Sequence, residues 1–279
     1  MNTYIWGATF GPADFHLLPR IRDSGFDGIE VPILNPAAFD ADAVGRELDR
    51  IGLSRTAVAN VPGGSSLASS DADARQRAIG HVTACIHAAR DLGAKILAGP
   101  MYTPVGFLTG QRRTADEWTW AVDSWQRLAG VVQAAGIEIA LEPLNRFETY
   151  FVNTAADMAR LCDEIGSPRV GILLDTFHAN IEEKSIGTAL RHAGAHLKHL
   201  HVCENDRGIP GSGHVAWTEF FDTVAELGYD RWMTIESFGF SLGELSTAAA
   251  VWRDLAPTPD AIAFEGVTFL RANASAPRT

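Results

Sequence analysis

One alternation of apolar and polar positions recurs along the chain. An amphipathic stretch ends in glycine, and within one to four residues a short β-rich run begins. The pattern appears at Ser24-Gly25-Phe26, Ile51-Gly52-Leu53, Leu92-Gly93-Ala94, Ala135-Gly136-Ile137, Ile165-Gly166-Ser167, Ala193-Gly194-Ala195 and Leu227-Gly228-Tyr229. The residue just past a helix often takes a left-handed backbone, which glycine enters without steric cost. These seven junctions, with an opening run at 4–8, predict strands at 4–8, 27–31, 54–60, 95–99, 138–142, 170–175, 197–201 and 232–236. Strands alternating with helices imply parallel pairing through right-handed crossovers. Eight repeats favour closure into an α/β fold of the (β/α)8 TIM-barrel class over an open doubly wound sheet. The open sheet would normally carry a glycine-rich phosphate turn after its first strand, and Trp6-Gly7-Ala8-Thr9-Phe10-Gly11 lacks the G-x-G-x-x-G spacing.

No linker divides the 279 residues, so one barrel domain over 1–279 is expected, with a terminal helix at 259–271 and a frayed C-terminal end. The polar stretches 62–73 and 101–116 read as long loops after the third and fourth predicted strands. Loops on that side of a barrel commonly cover its active site.

Composition narrows the function. Apolar residues make up 46% and charged residues 20%, ordinary for a globular chain with a large core. No apolar run is long enough to span a bilayer, and 1–6 has no basic region of the kind that opens a signal peptide. Cys85, Cys162 and Cys203 are scattered, with neither disulfide nor zinc spacing, so a reduced, cytoplasmic compartment is expected. A net charge of −11 with no basic run opposes nucleic acid as a partner.

Four consecutive predicted strands, the fifth to the eighth, end in a potential metal ligand: Glu142, Asp175, His201 and Glu236. Barrel strands converge with their C-terminal ends on one rim, where barrel enzymes carry their catalysts. Any one of these residues alone would read as a strand-end polar group facing solvent. Four in register form a strongly anionic pocket that is costly to desolvate without a compensating cation. Three carboxylates, one imidazole and no thiolate favour a hard to borderline divalent ion such as Mn²⁺, Co²⁺ or Mg²⁺. Cys203 reads as a bystander. Glu30, ending the second predicted strand, is either another solvent-facing group or a support for the ligands. Beyond each ligand sits a further polar side chain: Glu148 after Glu142, His178 after Asp175 and Arg207 after His201. Each is placed to reach a bound substrate. A helix-terminal His178 and a surface Arg207 paired with Asp206 are equally consistent with spacing alone.

The strings L-E-x-x-N-R-F-E (141–148), L-D-T-F-H (174–178), H-x-H-x-x-E-x-x-R (199–207) and E-S-F (236–238) resemble the D-tagatose 3-epimerase and D-allulose 3-epimerase family. That family lies within the xylose-isomerase-like superfamily. The resemblance is carried by 137–252, including Trp217 and Ala250-Val251-Trp252-Arg253. It implies that Glu142, Asp175, His201 and Glu236 hold one divalent metal, usually manganese, and that Glu142 and Glu236 double as the acid/base pair. It implies further that Glu148, His178 and Arg207 bind substrate oxygens near carbons 1 to 3, and that Phe238 packs on the sugar. The substrate is then a keto sugar, and the assembly a homodimer or homotetramer. The loop Met101-Tyr102-Thr103-Pro104-Val105 lacks the tryptophan that family members often carry after the fourth strand. Trp6, Tyr102 and Phe107 are the aromatic candidates to wall the pocket for carbons 4 to 6, Trp6 among them as a substrate contact.

The chemistry suits these residue types. A metal on the C2 carbonyl and C3 hydroxyl stabilises a cis-enediolate when the C3 proton leaves. Inversion requires removal from one face and return to the other, hence two carboxylates. Aldose–ketose isomerases, hydroxypyruvate isomerases and keto-sugar or keto-inositol dehydratases and lyases share the metal-ligand pattern and remain alternatives. A repair endonuclease would need more histidines and a basic face, and a sugar-binding protein would not need two carboxylates across one metal.

Overall fold

The computed structural model describes residues 1–238 and 249–274. Seven parallel strands run in ring order β1 Gly28–Pro32, β2 Ser54–Val58, β3 Ile96–Gly99, β4 Glu138–Leu141, β5 Val170–Asp175, β6 Leu197–His201 and β7 Met233–Thr234. They match the last seven predicted strands. All seven junction glycines have positive φ, between 45° and 90°.

The first predicted strand differs. Residues Thr3–Ile5 form a 3₁₀ turn, and the eighth place in the ring is taken by Met1 and Asn2. Asn2 N–H donates to the Ile235 carbonyl at 2.8 Å, and Glu30 N–H donates to the Met1 carbonyl at 2.7 Å, closing the barrel between β7 and β1. The Asn2 side chain accepts from Tyr4 N–H at 2.9 Å. This side-chain-to-backbone bond competes with a strand ladder and overrides the β propensity of Tyr4, Ile5 and Trp6.

Helices pack outside the ring: α1 Leu18–Asp23, α2 Ala41–Ile51, α3 Ala72–Leu92, α4 Ala115–Ala135, α5 Ala155–Ile165, α6 Thr176–Glu182, α7 Ile186–Ala193, α8 Trp217–Glu226 and α9 Pro259–Ala274. Local caps start them. Asp40 accepts from Ala43 N–H, and Thr114 with Glu117 forms a reciprocal capping box. The terminal helix runs three residues beyond its expected end, and 275–279, where fraying was expected, lie outside the described residues. No helix among the described residues is long and apolar enough to cross a membrane.

Inside the barrel, Ile96, Ala98, Ala140 and Leu173 form a small apolar plug with Trp232. Lys198 and Arg231 meet Glu138 at its N-terminal end. The site lies at the opposite, C-terminal end. Gly99 sets the approach of β3 to the chain beside it. With φ of 116°, a Cβ there would lie 2.3 Å from the Ala59 carbonyl oxygen and 3.1 Å from Val58 Cγ2. Gly99→Ala is therefore expected to cost about 1–3 kcal/mol in urea unfolding. Unchanged stability would show that the backbone here relaxes freely.

Candidate active site

The four predicted ligands meet at the C-terminal rim. One ligand atom from each of Glu142, Asp175, His201 and Glu236 lies within 4.8 Å of the others, and all four residues are buried. His201 Nδ1 is 3.8 Å from Glu142 Oε1 and 3.4 Å from Glu236 Oε2. Glu142 ends the ladder of β4 and Asp175 that of β5, where Oδ1 caps α6 by accepting from Phe177 N–H at 2.7 Å. That cap turns strand directly into helix, so His178 follows three residues later on the same rim.

Glu142 Oε1 and His201 Nδ1 are buried polar atoms without a hydrogen-bond partner. Orphans of this kind are costly, and two of them facing one point between two further carboxylates fit a divalent cation. The electrostatics agree. Burial, then the charge of Glu236, holds the Glu142 carboxyl well above its ordinary range. Burial likewise raises Asp175, with Arg207 opposing. Burial would raise Glu236 too, but His201 and Arg207 bring it below the usual value. Burial disfavours the charged form of His201, yet Glu236 and Glu30 hold it well above an ordinary histidine. A cation would relieve the repulsion among these acids.

Arg207 is buried. Its Nη1 donates to Glu236 Oε2 at 2.8 Å and Asp175 Oδ2 at 3.1 Å, and its plane lies over Phe177 and Phe238. Asp206, the surface partner that spacing allowed, pairs with Arg253 instead. Arg207 has φ of 62°, a strained value for a residue with a side chain. It is held by its own N–H on the Glu204 carbonyl and by Ser237 Oγ on its carbonyl at 2.7 Å.

His178 is also buried. Asn145 donates to its Nδ1 from the backbone at 3.1 Å and from Nδ2 at 2.9 Å, while Asn145 Oδ1 accepts from Phe147 N–H. Nδ1 is thus the acceptor and Nε2 carries the proton. Burial and the charges of Arg207 and His201 keep the ring neutral. Nε2 lies 3.1 Å from Arg207 Nη2 and 3.6 Å from Glu142 Oε1. Two donors do not satisfy each other, so both are available to an oxygen acceptor. Glu148 is positioned by Asn145 Nδ2 at 2.8 Å.

Glu142, Glu148, His178, Arg207 and Glu236 line a cavity of about 90 Å³ with Tyr4, Val58, Asn60, Val105 and Phe238 among its other walls. Phe238 stacks on Tyr4, ring centroids 5.3 Å apart. Three aromatic expectations need correction. Trp6 is not among the described wall residues: its indole donates to Asp260 at 2.9 Å and packs on Phe264, because the 3₁₀ turn sends Tyr4 inward instead. Tyr102 lies behind the rim, donating to the Glu142 carbonyl at 2.7 Å. Phe107 is exposed beside Tyr150.

Two supports escaped the sequence reading, and a third, Glu30, was left open between solvent and support. Asn145 stood inside a quoted string, but its double bond to His178 depends on a contact across 33 residues. Glu204, in the H-x-H-x-x-E-x-x-R string, accepts from Asn205, Gly211 and Val215 N–H and from the Trp217 indole, tying down the loop that carries Arg207. Glu30 is wholly buried, not solvent-facing, and accepts from His201 Nε2 at 2.7 Å. Cys203, read as a bystander, donates to the Glu236 carbonyl at 3.0 Å and accepts from Arg207 Nη1 at 3.3 Å.

Comparison with known proteins agrees with the fold. The sequence profile of the xylose isomerase-like TIM barrel family matches residues 18–272. A probable ketose 3-epimerase of Synechocystis sp. is 34% identical over 97% of this chain and 94% of its own. An L-ribulose 3-epimerase of Mesorhizobium japonicum is 31% identical over 91% and 86%. The crystal structure of a D-allulose 3-epimerase from Methylomonas sp. superposes with a TM-score of 0.92 at 27% identity, covering 98% and 96%. A seven-stranded parallel barrel with its acidic and histidine cluster at the C-terminal rim, matched along nearly its whole length, makes this chain a member of the xylose isomerase-like TIM barrel family, in the group of its ketose 3-epimerases.

Proposed function

We propose that the protein is a metal-dependent ketose 3-epimerase that inverts carbon 3 of a free ketose. The observation that carries this reading is the pair of buried carboxylates, Glu142 and Glu236, brought within 4.8 Å of each other in a four-residue ligand group. They come from strands three places apart around the ring, so they approach a bound substrate from different sides. Relatives named for epimerisation of ketoses, psicose and ribulose along most of the chain support the same chemistry.

Glu142, Asp175, His201 and Glu236 would hold the ion, with Mn²⁺ the first choice for an oxygen-rich set and Co²⁺ or Mg²⁺ as alternatives. When bound, such an ion supplies Lewis-acid polarisation of a carbonyl. The remaining work falls to the chain. One glutamate removes the C3 proton and the other delivers a proton to the opposite face. Arg207 Nη2 and His178 Nε2–H donate to the oxygens of the enediolate as its charge develops. Glu148 orients a hydroxyl, and Phe238 packs on the sugar, itself backed by Tyr4. Exposed Phe107, Leu108, Phe147 and Trp252 are compatible with a homodimer or homotetramer.

A panel of ketoses with Mn²⁺ in D₂O, read by NMR, tests the reaction. Deuterium at C3 and formation of the C3 epimer with little aldose are expected, for example between fructose and allulose or tagatose and sorbose. Exchange at C1 with aldose as the main product would make the enzyme an isomerase. Loss of water or bond cleavage beside the carbonyl would place it with the lyases.

A further inference from the structure

We propose that Glu30 is a positioning residue for the metal centre: with Asn2, Thr56 and His199 it locks the His201 ring so that Nδ1 faces the other three ligands. The inference rests on the metal reading above.

Glu30 lies inside the barrel on β1, out of contact with solvent. Oε1 meets two donors, while Oε2 meets one donor and a neighbouring imidazole. Oε1 accepts from His201 Nε2 at 2.7 Å and from Asn2 Nδ2 at 3.0 Å. Oε2 accepts from Thr56 Oγ1 at 3.0 Å and lies 2.8 Å from His199 Nε2. An imidazole that gives its Nε2 proton to a carboxylate keeps the lone pair on Nδ1, and Nδ1 is the partnerless atom beside Glu142 and Glu236. Glu30 thereby selects both the tautomer and the ring orientation that ligation needs, and raises the basicity of the ligating nitrogen.

The anchoring reaches across the seam where the barrel closes. Asn2 is held by its own backbone on Ile235 and by Tyr4 N–H on its Oδ1. Its Nδ2 stands 3.5 Å from Glu236 Oε1 as well as 3.0 Å from Glu30. One amide therefore ties the support of His201 to a second ligand. A second cation among Glu30, His199 and His201 is the competing interpretation, since the three are close enough to hold one. The 2.7 Å contact of His201 Nε2 is a charge-assisted hydrogen bond to the carboxylate, and with Asn2 on the same atom it commits Oε1 to donors rather than to an ion.

Glutamine at position 30 keeps the shape but not the charge. Turned with its carbonyl toward His201, the amide still accepts there but without the charge that strengthens the bond, and turned the other way its NH₂ opposes two donors. The test is the affinity for Mn²⁺ alone, titrated into metal-free wild type, Glu30→Gln and Thr56→Val by calorimetry, with turnover followed against Mn²⁺ concentration. Glu30→Gln is expected to bind Mn²⁺ 10–100-fold more weakly, with much of its turnover regained at high Mn²⁺. A general folding defect would not be reversed by metal. Thr56→Val, which removes one donor while keeping the side-chain volume, decides the matter if Glu30→Gln does not fold; weaker Mn²⁺ binding is expected there too. Wild-type affinity in the folded variants would overturn the positioning role. Absence of Mn²⁺ binding by the wild type would overturn the metal reading beneath it.

Discussion

Glu142→Gln and Glu236→Gln are each expected to lower turnover by at least 10²–10⁴-fold, the range that a positioned acid or base contributes. Glutamine fills the same volume but neither accepts a proton at neutral pH nor ligates as an anion. Both carboxylates are buried at the rim, with Glu142 Oε1 free of any hydrogen-bond partner and Glu236 bonded to Arg207 at 2.8 Å. Because each glutamate is proposed to serve as ligand and proton carrier, the double variant should lose little more than either single one. Arg207→Ala supplies the contrast, with metal retained and turnover reduced. Turnover of either glutamine variant within a few-fold of wild type would remove that residue from the reaction.

Withdrawal of the metal should be as severe. Excess chelator is expected to abolish turnover, and Mn²⁺ or Co²⁺ to restore it. A native-state ligand present at about 100 times its Kd stabilises by roughly 2.7 kcal/mol, which for a chain of this size is a fall of about 5–10 °C in Tm on removal. The stabilisation has a specific origin. Without the ion, burial and mutual repulsion push Glu142 and Asp175 upward, and the two orphaned atoms keep their desolvation cost. Full activity in excess chelator, with no metal detectable in the protein, would refute the centre.

Much of this could be read directly from the chain, because it depends on local signals. The seven junction glycines report helix ends, since only a left-handed backbone lets the chain turn there, and all seven carry positive φ. Counting strands from them placed Glu142, Asp175, His201 and Glu236 at strand ends. Parallel strands in a barrel bring their ends to one rim, so topology alone makes these residues neighbours. The spacing from Asp175 to His178 left the histidine open between site and helix end, and the cap of α6 brings it to the rim.

What the tertiary structure decided is everything set by contacts between distant segments. The run at 4–8 has the composition of a strand, and a single Asn2 bond to Tyr4 N–H turns it into a 3₁₀ helix, sending Tyr4 to the cavity and Trp6 to α9. Spacing left Arg207 undecided between surface and site; the carbonyl of Glu204, the hydroxyl of Ser237 and two carboxylates draw it inside. Glu30 could be read as a solvent-facing strand end or as a support for the ligands, and only the closed barrel sets His199 and His201 against it from 169 and 171 residues away. A sequence carries the periodicity of its elements residue by residue, whereas the partners of a buried polar group are chosen by the packing that desolvates it.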